Sequence, residues 1–260
     1  MELKDIKSVY FLGAGGIGMS ALVRYFLNEG KFVAGYDRTP SELTNHLIDE
    51  GAVLHFEENT DLVPEQCKDP ESTLVVYTPA IPADHKEWNL FKEGGFTIKK
   101  RAEVLGIITK GKRGVCAAGT HGKTTTSTLV SHIFTACGEG CSAFLGGISK
   151  NYDTNLLISG NNVIVAEADE FDRSFLQLFP EVAVITSMDA DHLDIYGDEA
   201  HIRQAFKDFA AQVSGTVIVK KGLDITAADR DVLIQRMVLY YAKMGQIDKA
   251  VSLASEQNSI

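Results

Sequence analysis

The sequence predicts an α/β protein built on parallel sheets, because one local pattern occurs twice and short buried strands alternate with helical stretches around it. The first copy is the apolar run Ser8-Val9-Tyr10-Phe11-Leu12, the turn Gly13-Ala14-Gly15-Gly16-Ile17-Gly18, and helical spacing at Leu22, Tyr25, Phe26 and Leu27. The second is Gly114 to Ala118, the turn Gly119-Thr120-His121-Gly122-Lys123-Thr124-Thr125-Thr126, and helical spacing at Leu129, Val130, Ile133 and Phe134 within Ser127 to Ala136. Strand, glycine-rich turn and helix in that order make a βα unit, and such units bind ligands at the carboxyl ends of their strands.

Taken in order, the first helical stretch ends at Gly30, a C-cap residue, and a second strand, Phe32 to Tyr36, ends at Asp37. G-x-G-x-x-G between strand and helix, with an acid 19 residues beyond Gly18, is a dinucleotide-type fingerprint. Alone it fits an NAD site, and it also fits a turn that any parallel sheet needs. Val53 to Phe56 and Leu74 to Tyr77 continue the strands, and Thr78-Pro79-Ala80-Ile81-Pro82 makes a stiff loop at a strand's carboxyl end. Trp88 and Phe91 have the character of helix-packing residues. Ile98 to Arg101 followed by Ala102-Glu103-Val104-Leu105 closes a first unit, and the polar stretch Thr109 to Gly114 marks a boundary. The predicted division is a Rossmann-like domain over 1–109, a phosphate-loop α/β domain over 110–224, and a helical tail over 225–260.

The second turn carries the chemistry. Small residues let backbone N–H groups curl around phosphate oxygens, the helix N-terminus adds partial positive charge, Lys123 adds a full one, and the Thr124 hydroxyl suits Mg²⁺. The loop is G-x-x-G-K-T, with Ala117 where the common form has its first glycine. Ala143 to Ile148 is turn-rich, whereas Val163 to Ala166 is a buried strand running straight into Glu167-Ala168-Asp169-Glu170. Glu167, first out of the strand beside a phosphate loop, is the candidate metal ligand, and Asp169 and Glu170 have the character of a solvated loop. Val182 to Thr186 is another strand, leading to Asp189-Ala190-Asp191-His192-Leu193-Asp194, where flanking acids suit His192 to a ligand role. His46, His55, His85, His132 and His201 lack such a setting and are expected at the surface or in packing. A helix over His201 to Val213 and a strand over Thr216 to Val219 follow.

Bulk properties narrow the field. A net charge of −10 disfavours a nucleic-acid partner, and no apolar run approaches the roughly 20 residues that span a bilayer. The N-terminal residues lack a signal-peptide layout, so a cytoplasmic location is expected. The cysteines Cys67, Cys116, Cys137 and Cys141 form no C-x-x-C pair and are expected to be reduced core residues.

Gly119-Thr-His-Gly-Lys-Thr-Thr-Thr126 resembles the ATP loop of the Mur ligases, the ADP-forming enzymes of bacterial cell-wall precursor synthesis. Gly13 to Ser20, Thr78 to Ile81, Arg101 to Glu103, Glu167 to Leu176 and Asp189 to Asp194 extend the resemblance over about residues 7–224. It implies that the first domain holds UDP-N-acetylmuramate rather than NAD, with Gly15, Gly18, Asp37, Thr78 and Arg101 as contacts. It implies ATP on Gly119, Thr120, His121, Gly122, Lys123, Thr124 and Thr125, and Mg²⁺ on Thr124, Glu167 and His192, with Lys123, Glu167 and His192 in catalysis. The implied reaction activates a carboxylate as an acyl phosphate, which an amine then attacks. The run Phe171 to Leu176 favours the branch that adds L-alanine over the branch that recycles a murein tripeptide.

After Asp224 the family pattern stops, so the resemblance implies an incomplete central domain, no amino-acid-binding domain and impaired turnover. Residues 225–260 have two helical spacings broken at Gly245, resembling one tetratricopeptide hairpin, which fits packing on the fragment, a protein contact, or an unrelated sequence joined to a ligase fragment. A non-catalytic binding protein that holds UDP-N-acetylmuramate and docks a partner through this tail is the alternative.

Overall fold

A computed structural model describes residues 3–189, 196–223 and 225. His192 and all but Ile225 of the 225–260 segment lie outside the described residues.

The first sheet contains β1 (Ser8–Leu12), β2 (Phe32–Tyr36), β3 (Val53–His55), β4 (Thr73–Tyr77) and β5 (Thr97–Lys100). Its order is β3-β2-β1-β4-β5, with every pairing parallel. β1 lies in the middle and all five of its residues are buried, which is why it reads as an unbroken apolar run. Helices α1 (Ile17–Asn28), α2 (Glu42–Asp49), α3 (Lys86–Glu93) and α4 (Arg101–Thr109) cross between the strands. α1 buries Met19, Leu22, Val23 and Phe26 at helical spacing, and α2 starts at a capping box in which Ser41 and Thr44 satisfy each other's backbone amides. The winding direction reverses between β1 and β4. The loops after those two strands therefore diverge, and a crevice opens between them.

The second sheet contains β6 (Arg113–Ala118), β7 (Ser142–Ser149), β8 (Thr154–Leu157), β9 (Val163–Ala168), β10 (Pro180–Ile185) and β11 (Thr216–Val219). Its order is β11-β10-β6-β9-β7-β8, parallel throughout except for β8 against β7. Helix α5 (Lys123–Ala136) follows β6, and α6 (Glu199–Ala211) joins β10 to β11.

Three expectations need correction. Ala143 to Ile148, expected as turns, is the body of β7, because Gly146 and Gly147 mark a close approach within the strand rather than a bend. α5 begins at Lys123, four residues before the expected start, with Gly122 as its N-cap. Cys137 is exposed at the end of α5, whereas Cys67, Cys116 and Cys141 are buried free thiols. His85, expected at the surface or in packing, is buried at the N-cap of α3, where Nδ1 accepts from the Trp88 amide.

The two sheets meet through α1. Asn155 of β8, fully buried, donates to Ile17 O at 2.7 Å and to Ser20 Oγ at 2.9 Å, and accepts from Arg24 Nη1. The Tyr25 and Phe144 rings lie 5.6 Å apart beside it. One apolar cluster runs without interruption from Val9, Phe11, Leu22 and Phe26 through Leu105, Phe144 and Ile164 to Ile185 and Phe206.

Candidate active site

Three strand ends converge on the glycine-rich loop at Gly119 to Thr125: β6 leads into it, and the residues after β9 and β10 flank it. Gly119 has φ +131°, and a Cβ there would run into the Thr186 hydroxyl. Gly122 is the N-cap of α5 at φ +87°, which sets the helix's first amides toward the loop. Residues after β10 brace the loop from behind. Thr186 N donates to Ala118 O at 3.0 Å, the Thr186 hydroxyl donates to His121 O, and His121 N donates to Ser187 Oγ at 2.8 Å. The buried Thr120 hydroxyl meets Ser187 Oγ at 2.9 Å and accepts from Asp189 N at 3.2 Å. His121 and Thr125 are exposed at the rim.

Lys123 and Thr124 face the exit of β9. Thr124 Oγ1 donates to Glu167 at 2.9 and 3.1 Å, and Gly146 N of β7 donates to Glu167 Oε2 at 2.9 Å. A Cβ on Gly146 would overlap the Glu167 carboxylate, so glycine is what lets this acid lie against β7. A hydroxyl and a carboxylate are hard oxygen donors, the kind that take Mg²⁺ jointly with phosphate oxygens. Among the described residues, no three His, Cys, Asp or Glu side chains gather as a metal cage. Lys123 Nζ donates to Gly119 O at 2.8 Å and lies 2.9 and 3.0 Å from the two oxygens of Glu170. Glu170, expected in a solvated loop, is only 1% exposed, because the chain folds inward after β9 rather than out into water. Its backbone carbonyl accepts from the buried Tyr196 hydroxyl at 2.6 Å. Burial, with the Glu170 charge adding to it, pushes the Tyr196 hydroxyl up to about 12.

Of the sequence-predicted residues of the first unit, Gly18, Thr78 and Arg101 line the crevice between β1 and β4, and Gly15 and Asp37 meet beside it. Gly15 N donates to Asp37 Oδ2 at 2.6 Å, the Arg101 guanidinium lies against the backbone of Gly18, and Thr78 closes on Gly13. A cleft of about 380 Å³ opens here, lined by Gly18, Thr78, Lys100 and Arg101 on one side and by Asp169, Phe171 and Ser174 on the other. Two ion pairs cross it: Arg101 Nη2 to Asp169 Oδ2 at 3.2 Å and Lys100 Nζ to Asp172 Oδ2 at 2.7 Å. The bond to Asp172 raises the Lys100 ammonium above the usual lysine value. Asp172 and Arg173 both sit at positive φ, +52° and +55°, so this wall is held in a conformation that L-residues rarely adopt. A second cavity of about 160 Å³, lined by Gly18, Arg101, Gly146, Glu167 and Asp169, connects the crevice residues to the phosphate-loop acid.

The structure thus brings Lys123, Thr124 and Glu167 together, and separately Gly15, Gly18, Asp37, Thr78 and Arg101. Sequence reasoning missed Gly146, Thr186, Ser187, Glu170, Lys100 and Asp172. The Gly146-Gly147 pair inside an apolar run was the available signal for the first.

Comparison with known proteins adds an independent line. Residues 8–113 match the model described as "Mur ligase family, catalytic domain", and residues 117–232 match that of the "Mur ligase middle domain". A UDP-N-acetylmuramate–L-alanine ligase of Phocaeicola vulgatus is 57% identical over 231 residues, which is 88% of this chain and 50% of that protein. The protein of the same name from Flavobacterium psychrophilum is 58% identical over 213 residues, 82% of this chain and 47% of that one. The solved UDP-N-acetylmuramate–alanine ligase of Thermotoga maritima superposes with a TM-score of 0.75 at 28% identity, covering 84% of this chain and 50% of that chain. The solved UDP-N-acetylmuramate:L-alanyl-gamma-D-glutamyl-meso-diaminopimelate ligase of Neisseria meningitides shares the fold, with a TM-score of 0.77 at 21% identity over 84% of this chain and 72% of its own. The chain spans about half the length of the curated relatives it matches.

Proposed function

Because the chain belongs to the Mur ligase family, we propose that it carries the nucleotide and sugar-nucleotide sites of a ligase joining L-alanine to UDP-N-acetylmuramate at the expense of ATP. The observation that carries this reading is the meeting of Lys123, Thr124 and Glu167 at the carboxyl edge of the second sheet. Around them stand the loop amides and the head of α5.

In this reading the loop from Gly119 to Thr125 wraps the ATP polyphosphate with backbone amides. Lys123 neutralises charge on the phosphoryl group as it moves. Thr124 and Glu167, with His192 as a further candidate, hold Mg²⁺, which when bound screens the phosphate charge and aligns the terminal phosphoryl group. Gly146 fixes the Glu167 carboxylate by its amide, so the acid needs no reorganisation when nucleotide arrives.

The first unit takes UDP-N-acetylmuramate in the crevice beyond β1 and β4. Gly15 and Gly18 allow close backbone approach, Asp37 accepts from a hydroxyl, and Thr78 and Arg101 contact the anionic part. The smaller cavity beside Gly18, Arg101, Gly146 and Glu167 suits the lactyl carboxylate passing from one site toward the other. That carboxylate takes the terminal phosphoryl group of ATP to give an acyl phosphate and ADP. The alanine amine then attacks the acyl carbon and phosphate leaves.

Among the described residues, no helix is long and apolar enough to cross a membrane. We place the protein's work in the cytoplasm, where these substrates occur.

Calorimetric titration with UDP-N-acetylmuramate, with and without Mg²⁺ and the ATP analogue AMP-PNP, tests both sites. Phosphate release that requires UDP-N-acetylmuramate and L-alanine together tests the reaction. Absence of binding by either ligand would overturn the proposal.

A further inference from the structure

The Lys123 ammonium has three hydrogens to give, and three oxygens receive them: Gly119 O at 2.8 Å, Glu170 Oε2 at 2.9 Å and Glu170 Oε1 at 3.0 Å. No donor is left over for a ligand. A phosphate oxygen that engages this lysine has to displace one of these partners, and the loop carbonyl belongs to the cradle itself. Glu170 is the partner that stands outside the cradle. It is also the one whose charge opposes a phosphate.

Glu170 is firmly held where it is. Its carbonyl accepts from the Tyr196 hydroxyl at 2.6 Å and from Arg173 N at 2.9 Å, and the residue is 1% exposed. Lys123, with its side chain 15% exposed, lies against this buried carboxylate as a close cationic partner. The pair also joins the first residue of α5 to the segment after β9, so the lysine is held across the loop mouth rather than swinging in solvent.

We propose that Glu170 is a resting counter-ion for Lys123, a positioning residue that occupies the lysine until a polyphosphate takes it over and thereby sets the affinity of the nucleotide site. The proposal rests on the nucleotide reading of the loop given above. In the chain without nucleotide, Glu170 keeps Lys123 extended and aimed across the loop. The lysine bonds that nucleotide gains are offset by the Glu170 bonds it replaces, which lowers affinity relative to a loop with a free lysine.

The test is calorimetric titration of the whole chain with AMP-PNP and Mg²⁺, set against titration with AMP. Glu170→Gln keeps the shape and removes the charge, and Glu170→Ala removes the side chain, so one variant suffices if the other does not fold. Exchanging a charged for a neutral hydrogen-bond partner is expected to tighten AMP-PNP binding about tenfold. AMP, which lacks the phosphates that such a lysine reaches, is expected to bind unchanged. In a Lys123→Met background the effect of Glu170→Gln is expected to vanish, which a merely structural role for Glu170 would not produce. Unchanged or weaker AMP-PNP binding by the Glu170 variants would overturn the counter-ion role. If instead Lys123→Met alone binds AMP-PNP as tightly as the unaltered chain, it is the nucleotide reading of the loop that fails.

Discussion

Arg101, the first residue of α4, donates from Nη2 to Asp169 Oδ2 at 3.2 Å, one residue beyond the end of β9. The contact joins the crevice of the first sheet to the acid-bearing loop of the second. Both side chains are about one-third exposed (27% and 36%), so water screens the pair and its own contribution to stability is below about 1 kcal/mol. Asp169→Asn is therefore expected to shift the midpoint of urea unfolding very little. Arg101→Ala is expected to weaken UDP-N-acetylmuramate binding about tenfold or more while leaving AMP-PNP affinity unchanged, as calorimetry with each ligand would reveal.

Thr124 and Glu167 are proposed to hold Mg²⁺ together, so each should matter only when the ion is present. Thr124→Ala and Glu167→Gln are expected to abolish most of the gain in AMP-PNP affinity that Mg²⁺ brings to the unaltered chain. With EDTA in place of Mg²⁺, the three proteins should bind alike. A Mg²⁺ gain retained in both variants would remove these residues from the ion's shell.

Gly146→Ala places a methyl group where the Glu167 carboxylate now lies. Overpacking of this kind costs about 1–3 kcal/mol, and the carboxylate must leave the Gly146 amide to relieve it. The expected result is a lower thermal midpoint together with loss of the Mg²⁺ gain. An alanine variant as stable and as Mg²⁺-responsive as the parent would show that the close approach is dispensable.

Glu87 of α3 is wholly buried, accepting from the Tyr10 hydroxyl at 2.6 Å and from Asn59 N at 3.2 Å. Burial outweighs these bonds and raises its carboxyl above the ordinary value of 4.5. The folded chain then retains this proton at pH values where the unfolded chain has released it. The group's contribution to stability is full below the ordinary value and is lost as pH rises through the higher folded one. Glu87→Gln should flatten that decline when urea unfolding is followed between acid and neutral pH. A parallel decline in the variant would assign the pH dependence to other groups.

Much of the architecture was legible because parallel strands buried on both faces carry a strong local signature. The runs at Ser8 to Leu12 and Val163 to Ala166 declared themselves as strands, and the turns at Gly13 and Gly119 announced the helices that follow. β7 escaped because, of the two glycines inside it, Gly146 makes room for Glu167 and Gly147 lies against Thr124, which no local rule reveals. The candidate site divides in the same way. Lys123, Thr124 and Glu167 follow from motif and strand position, whereas Thr186 and Ser187 enter only because β10 lies beside β6. Glu170 was misjudged because three acids in four residues suggest solvent, and burial against a lysine 47 residues away is a tertiary fact.

The shared wall of α1 bears on how the protein comes apart. Asn155 fastens that helix to β8, Tyr25 lies against Phe144, and one apolar cluster passes from one sheet into the other. Two sheets joined in this way melt as one cooperative unit. Loss of either is expected to expose apolar surface on the other, so that neither crevice outlasts its neighbour.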